Sequence, residues 1–153
     1  MNADRFSAVR FNAVRFRGGG EALEPLVAAS RAEGEDFIAK LAAALERGDY
    51  TKPRTALFGV YDGVLAGVCA LVPDPYLEPA DPAVGRLRHL YVLPEYRRRG
   101  VATALVGAVI VEARRHYRVL RLRTPNPAAA RLYEAAGFAA VTERAATHVL
   151  GLR

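Results

Sequence analysis

Two short stretches of this sequence carry residue types whose order could do chemistry. The first is Arg97-Arg98-Arg99-Gly100-Val101-Ala102, placed between an apolar run and a helical pattern. A helix start has unpaired backbone N–H groups and the positive end of the helix dipole. Small residues at Gly100 and Ala102 let a diphosphate approach that backbone, and the arginines add positive charge around it. The second stretch runs from Asn126 to Phe138, with Ala129, Leu132, Tyr133 and Ala136 at 3–4 spacing on a short helix. There Tyr133 offers a phenol to a departing thiolate. Taken singly, each stretch also reads as ordinary structure: a solvated basic turn, and a packed aromatic behind an asparagine cap.

The elements that must position these groups follow from periodicity. Residues 5–16 mix aromatics and valines with polar residues and suggest a strand, broken by Gly18-Gly19-Gly20. Residues 21–33 and 35–47 each carry an apolar helical stripe, with Gly34 between them and Gly48 as a stop. Asp62-Gly63 between the apolar runs 55–61 and 64–72 predicts a hairpin. A proline-rich loop spans 73–84, long enough to suggest a functional role. A strand at 86–93 ends at Pro94, a helix covers 100–116, and a strand covers 118–123. Asn126 and Pro127 open a helix over 127–136, which Gly137 closes. Strands at 138–143 and 146–152 form a closing pair. The order implies a mixed α/β sheet in a single domain over 1–153, with a parallel crossover from 86 to 123.

Composition excludes several classes. The chain has 153 residues, a length that fits one domain. It is 52% hydrophobic and 25% charged, which argues against disorder and supports a packed core. Cys69 is the single cysteine, so neither an intramolecular disulfide nor a cysteine-cluster metal site is available, and it reads as a buried strand residue. No apolar run is long enough for a membrane helix, and the charged start lacks a signal-peptide block, which points to a cytoplasmic protein with no membrane partner. The net charge of +6 divides unevenly, with 9 basic and 12 acidic side chains in 1–84 against 13 and 4 in 85–153. The C-terminal half could hold an anion. No basic stripe interleaved with aromatics appears, so nucleic acid is not the expected partner.

Together the two stretches resemble the GCN5-related N-acetyltransferase (GNAT) family. Arg97, Gly100 and Ala102 match its [Arg/Gln]-x-x-Gly-x-[Gly/Ala] motif, and Leu90, Tyr91, Val92, Pro94, Glu95 and Tyr96 match the strand that precedes it. Asn126, Ala129, Leu132, Tyr133, Gly137 and Phe138 match the later motif. The detailed match spans about residues 85–141. The resemblance implies a mixed sheet of about six or seven strands with a splayed central parallel pair, flanked by about four helices. It implies acetyl-CoA as donor and a primary amine as acceptor, joined by direct attack. Pantetheine would pair with main chain near Leu90, Tyr91 and Val92. The diphosphate would sit on the Arg98–Thr103 segment (Arg98, Arg99, Gly100, Val101, Ala102, Thr103). Asn126 would bond the pantetheine arm or the catalytic region. Tyr133, protonated at neutral pH, would be the general acid.

The sequence departs from the family pattern at the general base. Many members have Glu six residues before the strand valine, and here that position is Arg86. An arginine does not serve as a base. His89 is the nearest alternative, though strict alternation puts it across the strand from residues 86, 88, 90 and 92 unless a bulge intervenes. Glu33, Glu35 and Asp36, in the turn between the first two helices, are others, as is ordered water. If Arg86 and Arg88 face the acceptor channel, an acceptor carrying a carboxylate or phosphate would suit them. A peptide acceptor, or a CoA-binding sensor without turnover, are the alternative functions. Edge strands at 5–16 or 146–152 could pair across a homodimer two-fold.

Overall fold

The computed structural model describes residues 10–153. Among the described residues, seven strands form one sheet: β1 (Ala13–Arg15), β2 (Ala56–Tyr61), β3 (Leu65–Pro73), β4 (Val84–Val92), β5 (Val119–Leu122), β6 (Ala139–Glu143) and β7 (Ala146–Gly151). Four α-helices flank it: α1 (Glu24–Ala32), α2 (Phe37–Glu46), α3 (Val101–Arg114) and α4 (Pro127–Ala135). The sheet order is β1-β2-β3-β4-β5-β7-β6, and β4 and β5 are parallel. This is the mixed α/β sheet with a parallel crossover that the pattern of apolar runs implied. The predicted hairpin is present, with Gly63 at φ 74° supplying the left-handed turn residue.

Each face of the sheet buries its own core. One face packs α3 and the C-terminal elements, with Leu87, Val92, Leu105, Val109, Leu120 and Phe138 among its buried residues. The other packs α1 and α2, with Leu26, Ile38, Leu41, Val68, Tyr91 and Leu93. The apolar stripes of α1 and α2 therefore have a destination, and the hydrophobic effect fixes both helices on the sheet.

Three features differ from the expectation. Residues 1–9 lie outside the described residues, and within the described part of the stretch 5–16, residues 10–16, the strand is Ala13–Arg15. The helix expected at 21–33 starts as a 3₁₀ turn at Gly20–Leu23, and Pro25 then occupies the first α-turn, where its missing N–H costs nothing. The strand at 146–151 is not an edge. It lies between β5 and β6, pairing Leu150 with Leu120 on one side and His148 with Ala140 on the other. Both of its hydrogen-bonding edges are thus satisfied, and it cannot pair across a two-fold. The edge on that side is β6, most of whose residues are exposed.

Candidate active site

The site begins where two strands part. β4 and β5 pair only from Val84–Arg86 against Val119–Arg121. β4 continues to Val92 while β5 ends at Leu122. Beyond Arg86, the β5-facing side of β4 has no partner strand, and main-chain groups there need another partner. A cavity of about 870 Å³ opens at this fork. Leu90, Tyr91 and Val92 line one wall, and Asn126, Ala129 and Tyr133 line the other.

Within β4 the alternation breaks. Val68 of β3 stands opposite Tyr91, and Ala70 stands opposite Arg88, so two residues, His89 and Leu90, face the single Cys69. His89 takes φ 58°, the local conformation of a bulge. The bulge shifts the side-chain phase. Leu87, Leu90 and Val92 then serve the α3 face, and Tyr91 and Leu93 the α2 face. Strict alternation would have put 86, 88, 90 and 92 together; the extra residue separates the last two from the first two.

At one end of the cavity the chain turns into α3. Arg98 has φ 62° and Gly100 has φ 90°. Ala104 donates to the Gly100 carbonyl at 3.1 Å, the first backbone bond of the helix. Among the described residues, none of the six amides from Arg98 to Thr103 donates to a backbone acceptor or a side-chain cap. These amides, with the helix dipole behind them, make an anion cradle. Gly100 is needed for its φ; a Cβ there would meet nothing within 4 Å, so the space over the turn is open.

The three arginines of this turn have separate roles. Arg97 is bound at 2.8 Å by both its terminal nitrogens to the Glu33 carboxylate, and its Nε donates to the Val92 carbonyl at 2.9 Å. Arg99 lies over the Tyr96 ring at 4.8 Å and donates to the Glu95 carbonyl at 3.3 Å. Arg98 lines the cavity and has no carboxylate partner among the described residues. Val101 is a core residue and contributes only its amide to the turn. Of the three, only Arg97 is paired with a carboxylate among the described residues; Arg98 and Arg99 keep their positive charge, Arg98 in the cavity wall and Arg99 against the Tyr96 ring.

Tyr133 comes from the last turn of α4, buried, with its ring edge-on to Phe138 at 5.7 Å. Burial pushes its phenol pKa well above the ordinary value, with the neighbouring Cys69 adding to the effect. Its hydroxyl makes no hydrogen bond among the described residues, though the ring lines the cavity. Asn126 caps α4: its Oδ1 accepts from Ala128 N at 2.8 Å and Ala129 N at 3.3 Å. Only its side-chain NH₂ is left for a ligand. His148 packs behind Tyr133, bonded to Thr147 at 2.9 Å and Glu134 at 2.9 Å.

The α2 side of the fork holds the remaining candidates. His89 stacks on Phe37 at 6.3 Å. Burial, reinforced by the Arg88 charge, brings its imidazole pKa down to about 4, so it is neutral at pH 7 and holds an added proton poorly. Glu33 accepts from the Tyr91 hydroxyl at 2.7 Å as well as from Arg97, and these bonds hold its carboxyl below the usual range. Its function here is to tie the α1–α2 turn to the α3 turn. Arg86 is buried: one terminal nitrogen is 3.5 Å from Asp74 and the other donates to the Ala145 carbonyl at 2.6 Å. Asp74 also accepts from Arg121 at 2.7 Å and from the Tyr76 amide at 2.9 Å. Arg88 donates to the Tyr76 hydroxyl at 3.2 Å. A second cavity of about 370 Å³ adjoins the first here, lined by Arg86, Arg88, Arg123, His89 and Tyr76.

Sequence reasoning missed Asp74, Tyr76, Arg121 and Arg123 as parts of this region. Asp74 and Tyr76 lie in the proline-rich loop, where no local pattern marks either residue. Period-2 reading of β5 would have put Arg121 and Arg123 on one face, the face of Arg86 through the parallel register.

Comparison with known proteins agrees with this geometry. The sequence model of the acetyltransferase (GNAT) family matches residues 24–138. No curated protein matches the sequence. Among solved structures, a protein of Exiguobacterium sp. 255-15 assigned as an acetyltransferase is 24% identical, with a TM-score of 0.83 and 94% of each chain covered. The yncA protein of Salmonella typhimurium, solved with its cofactor acetyl-CoA, is 15% identical, with a TM-score of 0.66 over 92% of this chain and 94% of that one. The ribosomal-protein-S18-alanine N-acetyltransferase of Escherichia coli is 19% identical, with a TM-score of 0.65 and 94% of each chain covered. At these identities the structural likeness speaks for the fold, and the family match covers most of the chain. With its forked parallel pair, its amide cradle and its two sequence motifs, the chain belongs to the GNAT acetyltransferase family, whose members bind acetyl-CoA.

Proposed function

We propose that the chain is a single N-acetyltransferase domain that moves the acetyl group of acetyl-CoA to a primary amine of a small molecule, by direct attack in a ternary complex. The observation that carries the reading is the pairing, around one cavity, of the Arg98–Thr103 turn with its free amides, of which Arg98, Gly100, Ala102 and Thr103 line the cavity, with the unbonded hydroxyl of Tyr133. Acetyl-CoA supplies a thioester, whose attack by a neutral amine releases a thiolate. The amides of Arg98 to Thr103 bind the diphosphate, with Arg98 adding charge. Main chain at Leu90, Tyr91 and Val92, unpaired on the β5 side, bonds the pantetheine amides and polarises the acyl carbonyl. The Asn126 side-chain NH₂ steadies the same arm. Tyr133 holds its proton until a thiolate needs it, and a raised phenol pKa keeps that proton in place across the working pH range.

Proton removal from the amine is a separate task. An alkylamine with pKa near 10.4 is only roughly 0.1% neutral at pH 7.4. His89, at about 4, is too weak a base to hold that proton, and Glu33 is spent on Arg97 and Tyr91. The proton therefore passes to water in the open cavity or to Glu35, which also lines it. A small acceptor is supported by the loop after β3, which lays Tyr76 over Arg86 at 4.5 Å and gives the second cavity a wall.

The test is thiol release from acetyl-CoA against amino acids, polyamines, aminoglycosides and short peptides, with wild type and Tyr133→Phe. Turnover on small amines, cut strongly by Tyr133→Phe, supports the reading. Turnover on peptides alone moves the function to a protein acetyltransferase. Tight acetyl-CoA binding without turnover of any amine makes the chain a CoA sensor.

A further inference from the structure

We propose that the acceptor carries a carboxylate, held by Arg88 and Arg123 in the second cavity; this rests on the N-acetyltransferase reading. The cavity adjoins the fork through Leu87, Arg88 and His89, which line both. A ligand seated in it reaches the acyl site from the side opposite the α3 turn. Its volume of about 370 Å³ is at the lower end of ligand sites and fits a compact molecule.

The charges decide what that molecule is. Three guanidiniums line the cavity: Arg86, Arg88 and Arg123. Asp74, with no exposed side-chain surface, lies between Arg86 and Arg121 and is shared by both. Glu143 stands 3.6 Å from Arg121 Nε. Both carboxylates of this region are therefore engaged by Arg86 and Arg121. Arg86 is further occupied by the Ala145 carbonyl. Arg88 and Arg123 have no carboxylate partner among the described residues.

Arg88 is also pre-positioned. Its guanidinium lies 5.5 Å from the Tyr76 ring centre and donates to the Tyr76 hydroxyl. Fixing an arginine in advance removes part of the ordering cost of binding. Arg123 extends from the end of β5 on the same face and remains exposed. A carboxylate placed between the two receives charge-assisted bonds from both, in the fork geometry a guanidinium offers to a planar anion. The amine of the same molecule then points along β4 towards the fork, where a thioester would lie. Of the two arginines the sequence pointed to, Arg88 serves this role; Arg86 is a structural cation that supports the wall.

The experiment compares common L-amino acids with their C-terminal amides. Thiol release gives kcat/KM for each pair, and ligand-induced thermal stabilisation in the presence of CoA gives binding without turnover. The acids should exceed the amides by roughly 10–100-fold, the range for a charge-assisted bond. Arg88→Gln and Arg123→Gln should each bring that ratio to within about threefold of one, whereas Arg114→Gln, on the exposed end of α3, should leave it unchanged. Because Arg123 is exposed, its variant tests the clamp without risk to the core. Equal rates on acids and amides, or a ratio unmoved by both clamp variants, overturn the proposal. Stabilisation by the acids that Arg88→Gln and Arg123→Gln abolish, with no turnover of any amine, keeps the clamp and overturns the acetyltransferase reading. Absence of both turnover and stabilisation by the acids overturns the clamp.

Discussion

Asp74 is a buried carboxylate whose removal strands buried charge. It sits fully buried between Arg86 and Arg121, whose side chains are 5% and 6% exposed. Asp74→Ala leaves Arg86 without a carboxylate partner among the described residues and Arg121 with only the half-exposed Glu143, 3.6 Å from its Nε. At an effective dielectric constant near 20, one close pair is worth about 4 kcal/mol of attraction. Two such pairs are lost, together with the bond from the Tyr76 amide. Against this, each arginine keeps a backbone acceptor, the Ala145 or the Arg144 carbonyl, and Arg86 keeps the Tyr76 ring. Breaking a buried pair by removing one partner costs about 3–5 kcal/mol, and the retained bonds argue against more. For a chain of this length that is a fall in Tm of roughly 6–20 °C. Urea and thermal unfolding of wild type, Asp74→Ala and Asp74→Ala with Arg121→Met measure it. The double variant, with one charge fewer to strand, should recover part of the loss. The loss should change little between 0.15 and 1 M salt, since buried pairs are poorly screened. A loss below about 1 kcal/mol, or one that high salt removes, would refute the reasoning.

The other expectations concern the site. Tyr133→Phe should lower kcat by roughly 10²–10⁴-fold. It should leave Tm within about 2 °C, because the hydroxyl has no protein partner among the described residues. Gly100→Ala forces a left-handed φ on a residue with a Cβ, at a cost of about 1–2 kcal/mol, and should raise KM for acetyl-CoA more than it lowers kcat, seen in steady-state kinetics. His89 has a folded pKa of about 4, below its unfolded 6.5, so the unfolded chain binds the extra proton between them. Wild type should therefore lose stability as pH falls from 6.5 to 4, by up to about 3 kcal/mol. His89→Asn, whose side chain tolerates the positive φ, should show a shallower slope in unfolding curves across that window.

The parts of the site legible in the sequence are those that local chemistry decides. Gly100 at a helix start, Asn126 with Pro127 at another, and Asp62-Gly63 between two apolar runs each specify a backbone conformation within a few residues, and each is found. The helix stripes likewise need only the 3.6-residue period to declare a buried face. The family motifs fall on these same segments, so the cradle and Tyr133 could be placed before any fold was known.

What the sequence leaves open depends on residues far apart in the chain. The bulge at His89 carries no glycine or proline to announce it; it arises because β3 and β4 pair in two registers on either side of Cys69. That one extra residue decides which side chains of β4 face α2 and which face α3. Arg97 reads as one of the positive charges around the diphosphate; only the fold shows Glu33, 64 positions earlier, bonded to it. Arg86 reads as an acceptor ligand until Asp74 and Arg121 enclose it. The placement of β7 inside β6 follows from pairing on both of its edges, which no local pattern encodes. Local sequence determined the turns, the helix starts and the residues able to do chemistry. Tertiary structure alone decided which charges remain free, because a guanidinium's availability depends on the carboxylates that folding brings to it.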